Sequence, residues 1–281
     1  MENLCGERRD IKFMVQIATD VKQHHFRGLW YSDFGEGKTY LLGLFHNALK
    51  ERGTKGLYLL DTDRGVNTLA TGGFDVAFDD VSGGTKSQSE DAYQFFTRRL
   101  NELDQNEGEG YGAVAIDSLT TLQKIIMAHV HTISTAKRPL GGILSSQQDY
   151  GALIQIMENL FPFLQRLSTH MDVIMTAHLL ERRNEDTGQL WLLPSIMGKK
   201  FPSQIGLWFN EVWRLTAERS GNEIARKAQT ASFNRHKCKS QVADMPHILP
   251  VEEALERAMN AYSKGQKIAI PTSEERRSTA K

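Results

Sequence analysis

The feature that most constrains the fold of this chain is the segment 32–39, with the sequence SDFGEGKT, which separates an apolar run from a helical pattern. The run Leu29-Trp30-Tyr31 predicts a strand. Residues 40–51 carry leucine and phenylalanine at helical spacing. A strand, a glycine-containing turn with Gly-Lys-Thr, and then a helix are the context in which a phosphate-binding loop forms. The segment therefore predicts an α/β fold built around a nucleotide-binding turn.

The residues of this phosphate-binding loop have distinct expected roles. Backbone amides of the loop and of the following helix bind phosphate oxygens, and Gly35 and Gly37 let the backbone approach closely. Lys38 is expected to neutralise the β- and γ-phosphates of ATP, and the Thr39 hydroxyl to ligate Mg²⁺. Ser32 stands where the pattern usually has its first glycine, and a positive φ there would be strained. The predicted nucleotide contacts are Ser32, Asp33, Phe34, Gly35, Glu36, Gly37, Lys38, Thr39 and Tyr40.

Two predicted strands end in carboxylates. Residues 113–116 are a continuous apolar run followed by Asp117, which is expected to hold Mg²⁺ through a water molecule. Residues 57–60 are followed by Asp61 and Asp63, and a carboxylate at this strand end is able to polarise an attacking water. Asp63 is the candidate base, with Asp61 as the second choice. A solvated acidic turn is the alternative explanation for this pair.

Apolar runs and helical patterns alternate along most of the chain, which indicates right-handed crossovers and a parallel sheet. Besides those already named, the predicted elements are helices at 91–103, 119–133, 150–167 and 251–262, and strands at 75–78, 172–177, 189–193, 211–215 and 224–233. The expected organisation is an N-terminal segment 1–25, a nucleotide-binding domain 26–250, and a C-terminal helix with a disordered tail over 251–281.

The charge balance limits how the chain can bind a polyanion. Its 281 residues include 34 Lys+Arg and 34 Asp+Glu, which excludes binding of nucleic acid through overall positive charge and leaves only local clusters. With 40% hydrophobic and 24% charged residues, an acidic disordered chain is excluded as well. Cys5 and Cys238 are expected to be reduced thiols. No secretory signal or long apolar run is visible, so the chain is expected to be soluble and cytoplasmic, without membrane contact.

The chain resembles the core of RecA-type ATPases in four segments that follow one another in the same order. These are the phosphate-binding loop and residues 57–65, 113–118 and 172–178. The chain is most similar to phage-encoded, RecA-like nucleotide-binding proteins of the single-strand annealing (Sak) group. That group also shows a Thr-Ala-His strand end, a proline, a Gly-Lys element and a strand with Val-x-Arg. The matching residues are Thr176-Ala177-His178, Pro194, Gly198-Lys199 and Val212-Trp213-Arg214, and the likeness covers about residues 27–240.

The resemblance implies a RecA-like P-loop NTPase core with a mainly parallel central sheet flanked by helices. It also implies ATP-dependent action on single-stranded DNA in recombination, annealing or replication. ATP would lie between subunits of a ring or filament in the cytoplasm of a bacterial host, with a single-strand binding protein as a candidate partner. His178 matches the position that senses the γ-phosphate. Lysines from an adjacent subunit commonly complete such sites, and the candidates are Lys199, Lys200, Lys237 and Lys239.

The same resemblance places two DNA-contacting loops after the strands that carry Asp117 and His178. The first, at 134–148, carries Lys137 and Arg138, and the second, at 179–188, carries Arg182 and Arg183. The densest basic stretch lies at residues 223–240, where Phe233 is a candidate for stacking on a base. Its basic residues are Arg226, Lys227, Arg235, Lys237 and Lys239. A solvated surface is the alternative explanation for such a run.

Two other hypotheses stay open from the sequence. A different P-loop enzyme, such as a helicase core or a small-molecule kinase, shares the loop, although a kinase needs an arginine-rich lid and only Arg182-Arg183 is near. A nucleotide-binding scaffold without hydrolysis is kept open by Ser32 and by aspartate at position 63. Because the subunit is neutral, DNA binding is expected to be weak for a monomer, and stronger and salt-sensitive for an assembled form.

Overall fold

Strands and helices alternate through the computed structural model, which describes residues 25–82, 90–133, 146–183, 188–198, 201–221, 223–233 and 235–262. The predicted DNA contacts Lys137 and Arg138 and the candidate lysines Lys199 and Lys200 lie outside these residues. The N-terminal segment up to residue 24, which includes Cys5, and the tail from residue 263 also lie outside them.

The described residues form nine strands and seven helices. The strands are β1 Arg27–Ser32, β2 Leu57–Asp61, β3 Ala77–Asp80, β4 Ala113–Asp117, β5 Asp172–Arg183, β6 Leu190–Pro194, β7 Glu211–Ser220, β8 Glu223–Gln229 and β9 Ile248–Pro250. The helices are α1 Lys38–Glu51, α2 Val66–Thr71, α3 Ala92–Gln105, α4 Leu119–Ile133, α5 Gln147–Leu167, α6 Phe201–Gln204 and α7 Val251–Tyr262.

The strands form one sheet in the order β3-β2-β4-β5-β1-β7-β8-β9, with β6 paired to β5 outside this path. The strands from β3 to β7 in this order run parallel. Antiparallel pairs add β6, β8 and β9. The prediction of an α/β fold with a mainly parallel central sheet flanked by helices is confirmed.

Helices cover both faces of the sheet because its central strands are apolar on both sides. Leu29 and Tyr31 of β1 pack into a layer with α3, α4 and α5. Trp30 points to the other face and packs with α1 and α7. Helix α7 buries Leu255 in this second layer, so the C-terminal helix shares a hydrophobic core with the helix that follows the phosphate-binding loop.

The register of the parallel strands aligns their carboxyl ends at one edge of the sheet. Ser32 at the end of β1 lies opposite His178 of β5. Asp61 at the end of β2 lies opposite Asp117 at the end of β4. Ligand sites in parallel sheets form beyond this edge. The fold therefore brings together side chains that lie far apart in the sequence.

Several elements differ from their predicted extent. Strand β5 continues past its predicted end at residue 177 to Arg183, because β6 pairs with its second half. Helix α5 contains Pro162 without ending there. Helix α2 and strand β9 are absent from the sequence prediction, since segments of six and three residues carry too little periodicity.

Cys238 is a free, buried thiol whose sulfur lies 3.6 Å from the Tyr31 hydroxyl oxygen, and burial raises the pKa of this thiol. Across the residues that the structure describes, no helix has both the length and the apolar character needed to cross a membrane.

Candidate nucleotide-binding site

The phosphate-binding loop leaves the N-terminus of α1 open. Gly35 and Gly37 have φ angles of 74° and 98°, a left-handed conformation that glycine adopts without strain. Helix α1 begins at Lys38, and none of the described side chains caps its first turn. By contrast, α3 and α5 begin with capping boxes at Asp91 and Ser146. The amide donors of α1 are therefore available to an anion.

Ser32 fits at the position where the loop pattern usually has glycine, because it ends β1 and its φ is not positive. Nζ of Lys38 donates to Oγ of Ser32 at 3.1 Å. It also donates to the carbonyl oxygens of Ser32 and Asp33, at 3.2 and 2.9 Å. Burial lowers the pKa of Lys38 despite the carboxylates of Asp117 and Asp63 nearby. A bound phosphate would favour the charged ammonium.

Asp117 is buried at the end of β4 between two hydroxyl donors. Oγ1 of Thr39 donates to one carboxylate oxygen at 2.7 Å, and Oγ1 of Thr176 donates to the other. Burial raises the pKa of Asp117, and the two hydroxyl donors act in the opposite direction. The hydroxyl and carboxylate oxygens predicted to hold Mg²⁺ therefore adjoin each other, and oxygen ligands suit this ion. Among the described residues no three His, Cys, Asp or Glu side chains cluster as a metal site, so phosphates and water would complete the coordination.

Asp61 shapes the turn after β2 instead of facing the loop. Its carboxylate oxygens accept hydrogen bonds from the backbone amides of Asp63, Gly65 and Val66, each at 3.1 Å. The second candidate base is thus engaged by its own turn, and the carboxylate of Asp63 is the one that lines the cavity above the loop.

Asp63 and His178 form a pair across this cavity. Nε2 of His178 lies 3.3 Å from Oδ2 of Asp63, and the ring of Phe34 covers His178 with ring centroids 4.5 Å apart. Burial disfavours the ionised form of Asp63, but hydrogen bonds from His178, Thr121 and Ser118 outweigh it and lower the pKa of Asp63 to about 2. At neutral pH Asp63 is therefore an ionised hydrogen-bond acceptor and a weak proton acceptor.

A cavity of about 700 Å³ above the loop collects most of the predicted residues. Those that line it are Phe34, Gly35, Gly37, Lys38, Thr39, Tyr40, Asp63, Asp117 and His178. The side chains of Asp33 and Glu36 are engaged elsewhere. Asp33 accepts the amide of Phe34 at 2.8 Å, and Glu36 accepts the amide of Ala217 in β7. The volume lies within the range of small-molecule sites.

The cavity also has lining residues that sequence reasoning did not identify, namely Thr68, Thr120, Thr121, Lys124, Leu179, Ser195 and Arg226. Thr120, Thr121 and Lys124 occupy one side of α4, and their spacing directly after Asp117 is a signal visible in the sequence. The position of Arg226 could be found only from the alternation of β8, in which Ala228 on the same face is buried.

Two of the lysines that are candidates for reaching a neighbouring subunit lie in the described residues, and their surroundings differ. Nζ of Lys239 donates to the carbonyl oxygens of Gly206 and Phe209 at 3.1 and 2.9 Å, and burial lowers its pKa. In this chain the ammonium of Lys239 is thus bound to backbone carbonyl groups of the same subunit. Lys237 is exposed, and its Nζ lies 4.1 Å from the ring centroid of Trp191.

The structure brings two predicted basic segments together at the hairpin of β5 and β6. The amide of Leu192 donates to the carbonyl of Arg235 at 3.0 Å, which attaches residues 235–237 to β6. Arg182 lies opposite Trp191 in the antiparallel register. Five cationic and aromatic residues therefore lie at this hairpin, although neighbouring residues of β5 point to opposite faces. We call the set of Arg182, Arg183, Trp191, Arg235 and Lys237 the hairpin patch.

The rest of the predicted basic stretch lies elsewhere. Nζ of Lys227 on β8 forms an ion pair with Glu218 at 2.8 Å. The guanidinium of Arg226, a candidate DNA contact from the sequence, lies over the ring of Tyr40 and lines the cavity. Phe233 is exposed, as stacking on a base requires.

Comparison with known proteins gives a family match and two distant structural matches. A family model described as an AAA domain matches residues 24–245. No curated protein matches the chain. Among solved structures, the RadB recombinase is 15% identical with a TM-score of 0.41, over 81% of this chain and 87% of that chain. The KaiC-like protein PH0186 from the hyperthermophilic archaeon Pyrococcus horikoshii OT3 is 14% identical with a TM-score of 0.42, over 76% of this chain and 82% of that chain. These TM-scores are too low to support an argument about this chain.

The family match covers most of the chain and includes every element that builds the cavity. It contains the phosphate-binding loop, the carboxylates at the ends of β2 and β4, and His178 on β5. A loop with an open helix N-terminus, a buried lysine and an adjoining hydroxyl–carboxylate pair is the arrangement that P-loop proteins use for nucleotide phosphates. The chain therefore belongs to the AAA domain family and is a P-loop ATPase.

Proposed function

We propose that this chain is a Mg²⁺-dependent ATPase that acts on single-stranded DNA in recombination, annealing or replication, as a RecA-like protein of the phage Sak type. The observation that carries the ATPase part is the geometry at the carboxyl edge of the sheet. There the open N-terminus of α1, with Lys38 and Thr39, adjoins Asp117, and the pair of Asp63 and His178 lies across the same cavity. Phosphoryl transfer depends on such positioning and charge neutralisation more than on covalent chemistry by the protein.

Each of these residues has a defined task in hydrolysis. The amides of α1 and the ammonium of Lys38 bind the β- and γ-phosphate oxygens and stabilise the charge that develops on them. Thr39 and Asp117 would hold Mg²⁺, which when bound would neutralise phosphate charge. Asp63, which is ionised at neutral pH, accepts a hydrogen bond from the attacking water and orients it. His178, paired with Asp63, is the proposed sensor of the terminal phosphate.

The hairpin patch supports single-stranded DNA as the partner. It combines cationic side chains with aromatic surface, the two features that bind single strands with little sequence preference. Arg182 and Arg183 belong to the same strand as His178, so one strand runs from the nucleotide cavity to the patch. The proposed DNA contacts are Arg182, Arg183, Arg235 and Lys237, with Lys137, Arg138 and Phe233 as further candidates.

A ring or filament of subunits is the proposed working form. With 34 basic and 34 acidic residues, a single subunit has no positive field of its own, and assembly would place several hairpin patches side by side. Lys199, Lys200 and Lys237 are the lysines proposed to reach the ATP of a neighbouring subunit. A single-strand binding protein in the cytoplasm of a bacterial host is the proposed additional partner.

Steady-state phosphate release, measured with and without single-stranded DNA, tests this function. We expect Mg²⁺-dependent release from the wild type that rises when DNA is added, and no release above background from Lys38→Ala. Lys50→Ala is the matched control, because Lys50 lies in the last turn of α1 and pairs with Asp75 at 2.6 Å, away from the loop. Its phosphate release should equal that of the wild type.

Three outcomes would contradict parts of the proposal. Equal release by the wild type and Lys38→Ala would exclude hydrolysis at this loop. Binding of ATP and DNA without any release would identify a nucleotide-binding scaffold. Absence of ATP binding, together with no retention of single-stranded DNA in a gel shift, would remove the proposed function as a whole.

A further inference from the structure

The side chain of Arg226 packs against the phosphate-binding loop, although Arg226 belongs to β8, which β7 separates from β1. Its guanidinium carbon lies 4.3 Å from the ring centroid of Tyr40, the residue that follows the Gly-Lys-Thr triplet. A Cβ atom on Gly37 would lie 2.5 Å from Nε of Arg226, so the arginine side chain packs directly against the glycine backbone. Arg226 therefore covers one side of the loop.

A hydrogen bond provides a second contact between the hairpin of β7 and β8 and the phosphate-binding loop. The Glu36 carboxylate of the loop accepts the backbone amide of Ala217 on β7. Ala217 is also the residue that pairs with Arg226 in the antiparallel register. Two residues further along β8, Ala228 is fully buried in the layer that contains α1. Arg226 is thus held over the N-terminus of α1 by the fold, and its position does not depend on a flexible segment.

The guanidinium of Arg226 has no anionic partner in the part of the chain that the structure describes. Its Nε is buried and makes no hydrogen bond with any described residue. Arg226 as a whole is half-buried, and a buried N–H group without an acceptor is costly, a cost that disappears when an anion or a polar ligand accepts its hydrogen bond. The open N-terminus of α1 lies next to Arg226 and is suited to receive an anion.

The two sides of the loop differ in chemistry. On the side of β2, β4 and β5 lie Asp63, Asp117 and His178, the groups that act on the terminal phosphate and the metal. On the opposite side, next to β7 and β8, lies Arg226 stacked on Tyr40. If the γ-phosphate of a bound nucleotide faces Asp63, Asp117 and His178, the rest of the nucleotide extends from the loop in the opposite direction. Its α-phosphate, ribose and base therefore extend toward Arg226.

We propose that Arg226, stacked on Tyr40, binds the α-phosphate and nucleoside portion of the nucleotide within its own subunit. The inference rests on the proposed ATPase function, because it concerns the same cavity. The guanidinium supplies charge to the α-phosphate, and its open face offers a surface for the base or ribose. Tyr40 holds the guanidinium plane in place, and Phe74 packs edge-on against Tyr40 from behind.

Calorimetric titration with a non-hydrolysable ATP analogue and with pyrophosphate tests the assignment. Pyrophosphate carries two phosphate groups but has no ribose, base or phosphate ester. We expect Arg226→Ala to weaken binding of the ATP analogue at least tenfold and to leave pyrophosphate binding unchanged. Lys227→Ala is the matched control, because Lys227 neighbours Arg226 on β8 and pairs with Glu218 outside the cavity. It should bind both ligands as the wild type does.

The outcomes separate this inference from the function on which it rests. Wild-type affinity of Arg226→Ala for the ATP analogue, or an equal loss for both ligands, would overturn the role of Arg226. A wild type that binds neither ligand would instead refute the ATPase proposal. If Arg226→Ala fails to fold, Arg226→Lys decides the matter, because lysine keeps the charge and the aliphatic packing on Gly37 but lacks the planar guanidinium. It should lose at least threefold for the analogue and nothing for pyrophosphate.

Discussion

Asp61 and Asp63 lie two residues apart, yet the backbone gives them different tasks. Three backbone amides of the turn donate hydrogen bonds to the carboxylate of Asp61, so this carboxylate stabilises the conformation of the turn. Asp63 meets side chains instead, and its oxygen faces His178 and the cavity. A pKa of about 2 makes Asp63 a fixed negative charge at any pH where the protein works. In the proposed hydrolysis, Asp63 therefore orients water and does not take up its proton.

Replacing Asp63 with asparagine should separate hydrolysis from binding. The amide keeps the size of the side chain but removes the charge that orients the water, so we expect phosphate release to fall on the order of 100-fold. Binding of the ATP analogue should stay within threefold of the wild type, because Lys38 and the amides of α1 are unchanged. Phosphate release and calorimetric titration measure the two quantities.

Asp61→Asn is the contrasting variant. It leaves three turn amides with a weaker acceptor, so we expect the free energy of unfolding to fall by about 1–3 kcal/mol. Loss of hydrolysis in Asp61→Asn with unchanged stability, or full hydrolysis in Asp63→Asn, would reverse the roles assigned to the two carboxylates.

At the residue scale, local pattern predicted the loop and Asp117 because both depend on a strand end and a few adjacent residues. It did not separate Arg226 from its neighbour Lys227. That distinction depends on which face of β8 meets α1, and only the packing of the hairpin decides this. Lys239 likewise looked exposed in the sequence, yet two carbonyl groups from a distant turn bind its ammonium.

At the element scale, α7 is part of the core although it follows the last strand. Leu255 is fully buried on the same face of the sheet as α1. We expect Leu255→Ala to lower the free energy of unfolding by about 2–5 kcal/mol, because it removes buried apolar atoms and leaves a cavity. Urea unfolding followed by circular dichroism measures this change.

Arg257→Ala provides the control on the same helix. Arg257 is exposed and pairs with Glu253 one turn before it, so its loss should cost at most about 0.5 kcal/mol. Equal effects of the two substitutions would mean that α7 does not belong to this core.

His236 lies between Arg235 and Lys237 and is buried. A backbone bridge between His236 and Leu192 holds this segment against β6. Burial, assisted by the charge of Arg214, lowers the pKa of His236 to about 4. The unfolded chain takes up this proton near pH 6.5, so the folded state loses stability as the pH falls from about 6.5 toward 4. Between pH 7 and pH 5 we expect the wild type to lose roughly 1–2 kcal/mol more than His236→Gln.

Urea unfolding of both proteins at each pH measures this difference. The variant should show the flatter dependence of unfolding free energy on pH. The same slope in both proteins would assign the acid sensitivity to other groups.

Long elements with a strong period could be predicted, and short or paired ones could not. The pattern of α4 gives its bounds directly, since its apolar face is continuous. The second half of β5 ends in charged residues and was not predicted as a strand. It is extended because residues 179–183 pair with β6. Pairing between segments separated by a turn is not encoded in either segment alone.

At the scale of the whole molecule, the neutral charge and the hairpin patch together define how DNA binding should depend on salt. Each phosphate contact on a single strand contributes a slope of about −0.7 to the plot of log affinity against log salt. We expect Arg182→Ala to make this slope shallower by about 0.7, and binding to strengthen steeply as subunit concentration permits assembly. Fluorescence anisotropy of a labelled oligonucleotide, at several salt and protein concentrations, measures both.

Arg166→Ala is the control, because Arg166 lies in the last turn of α5 at the opposite edge of the sheet and pairs with Asp104. It should leave the slope unchanged. Tight binding at subunit concentrations too low for assembly would contradict the requirement for several patches.

The sequence was sufficient for the class of fold, because alternating apolar strands and amphipathic helices around a phosphate-binding loop admit few topologies. It was insufficient for the distribution of positive charge. Residues 182–183 and 235–237 are separated by more than fifty positions and meet only because β6 folds back and receives the later segment.

Strand β5 is a single uninterrupted element from Asp172 to Arg183. It carries His178 at the nucleotide cavity and Arg182 in the hairpin patch, four residues or about 13 Å further on. An extended strand hardly stretches or compresses along its axis. The distance between these two positions is therefore fixed by the strand itself. One rigid strand thus joins the nucleotide cavity to the surface that we propose for DNA binding, so a change in the position of this strand at one site would be shared by the other.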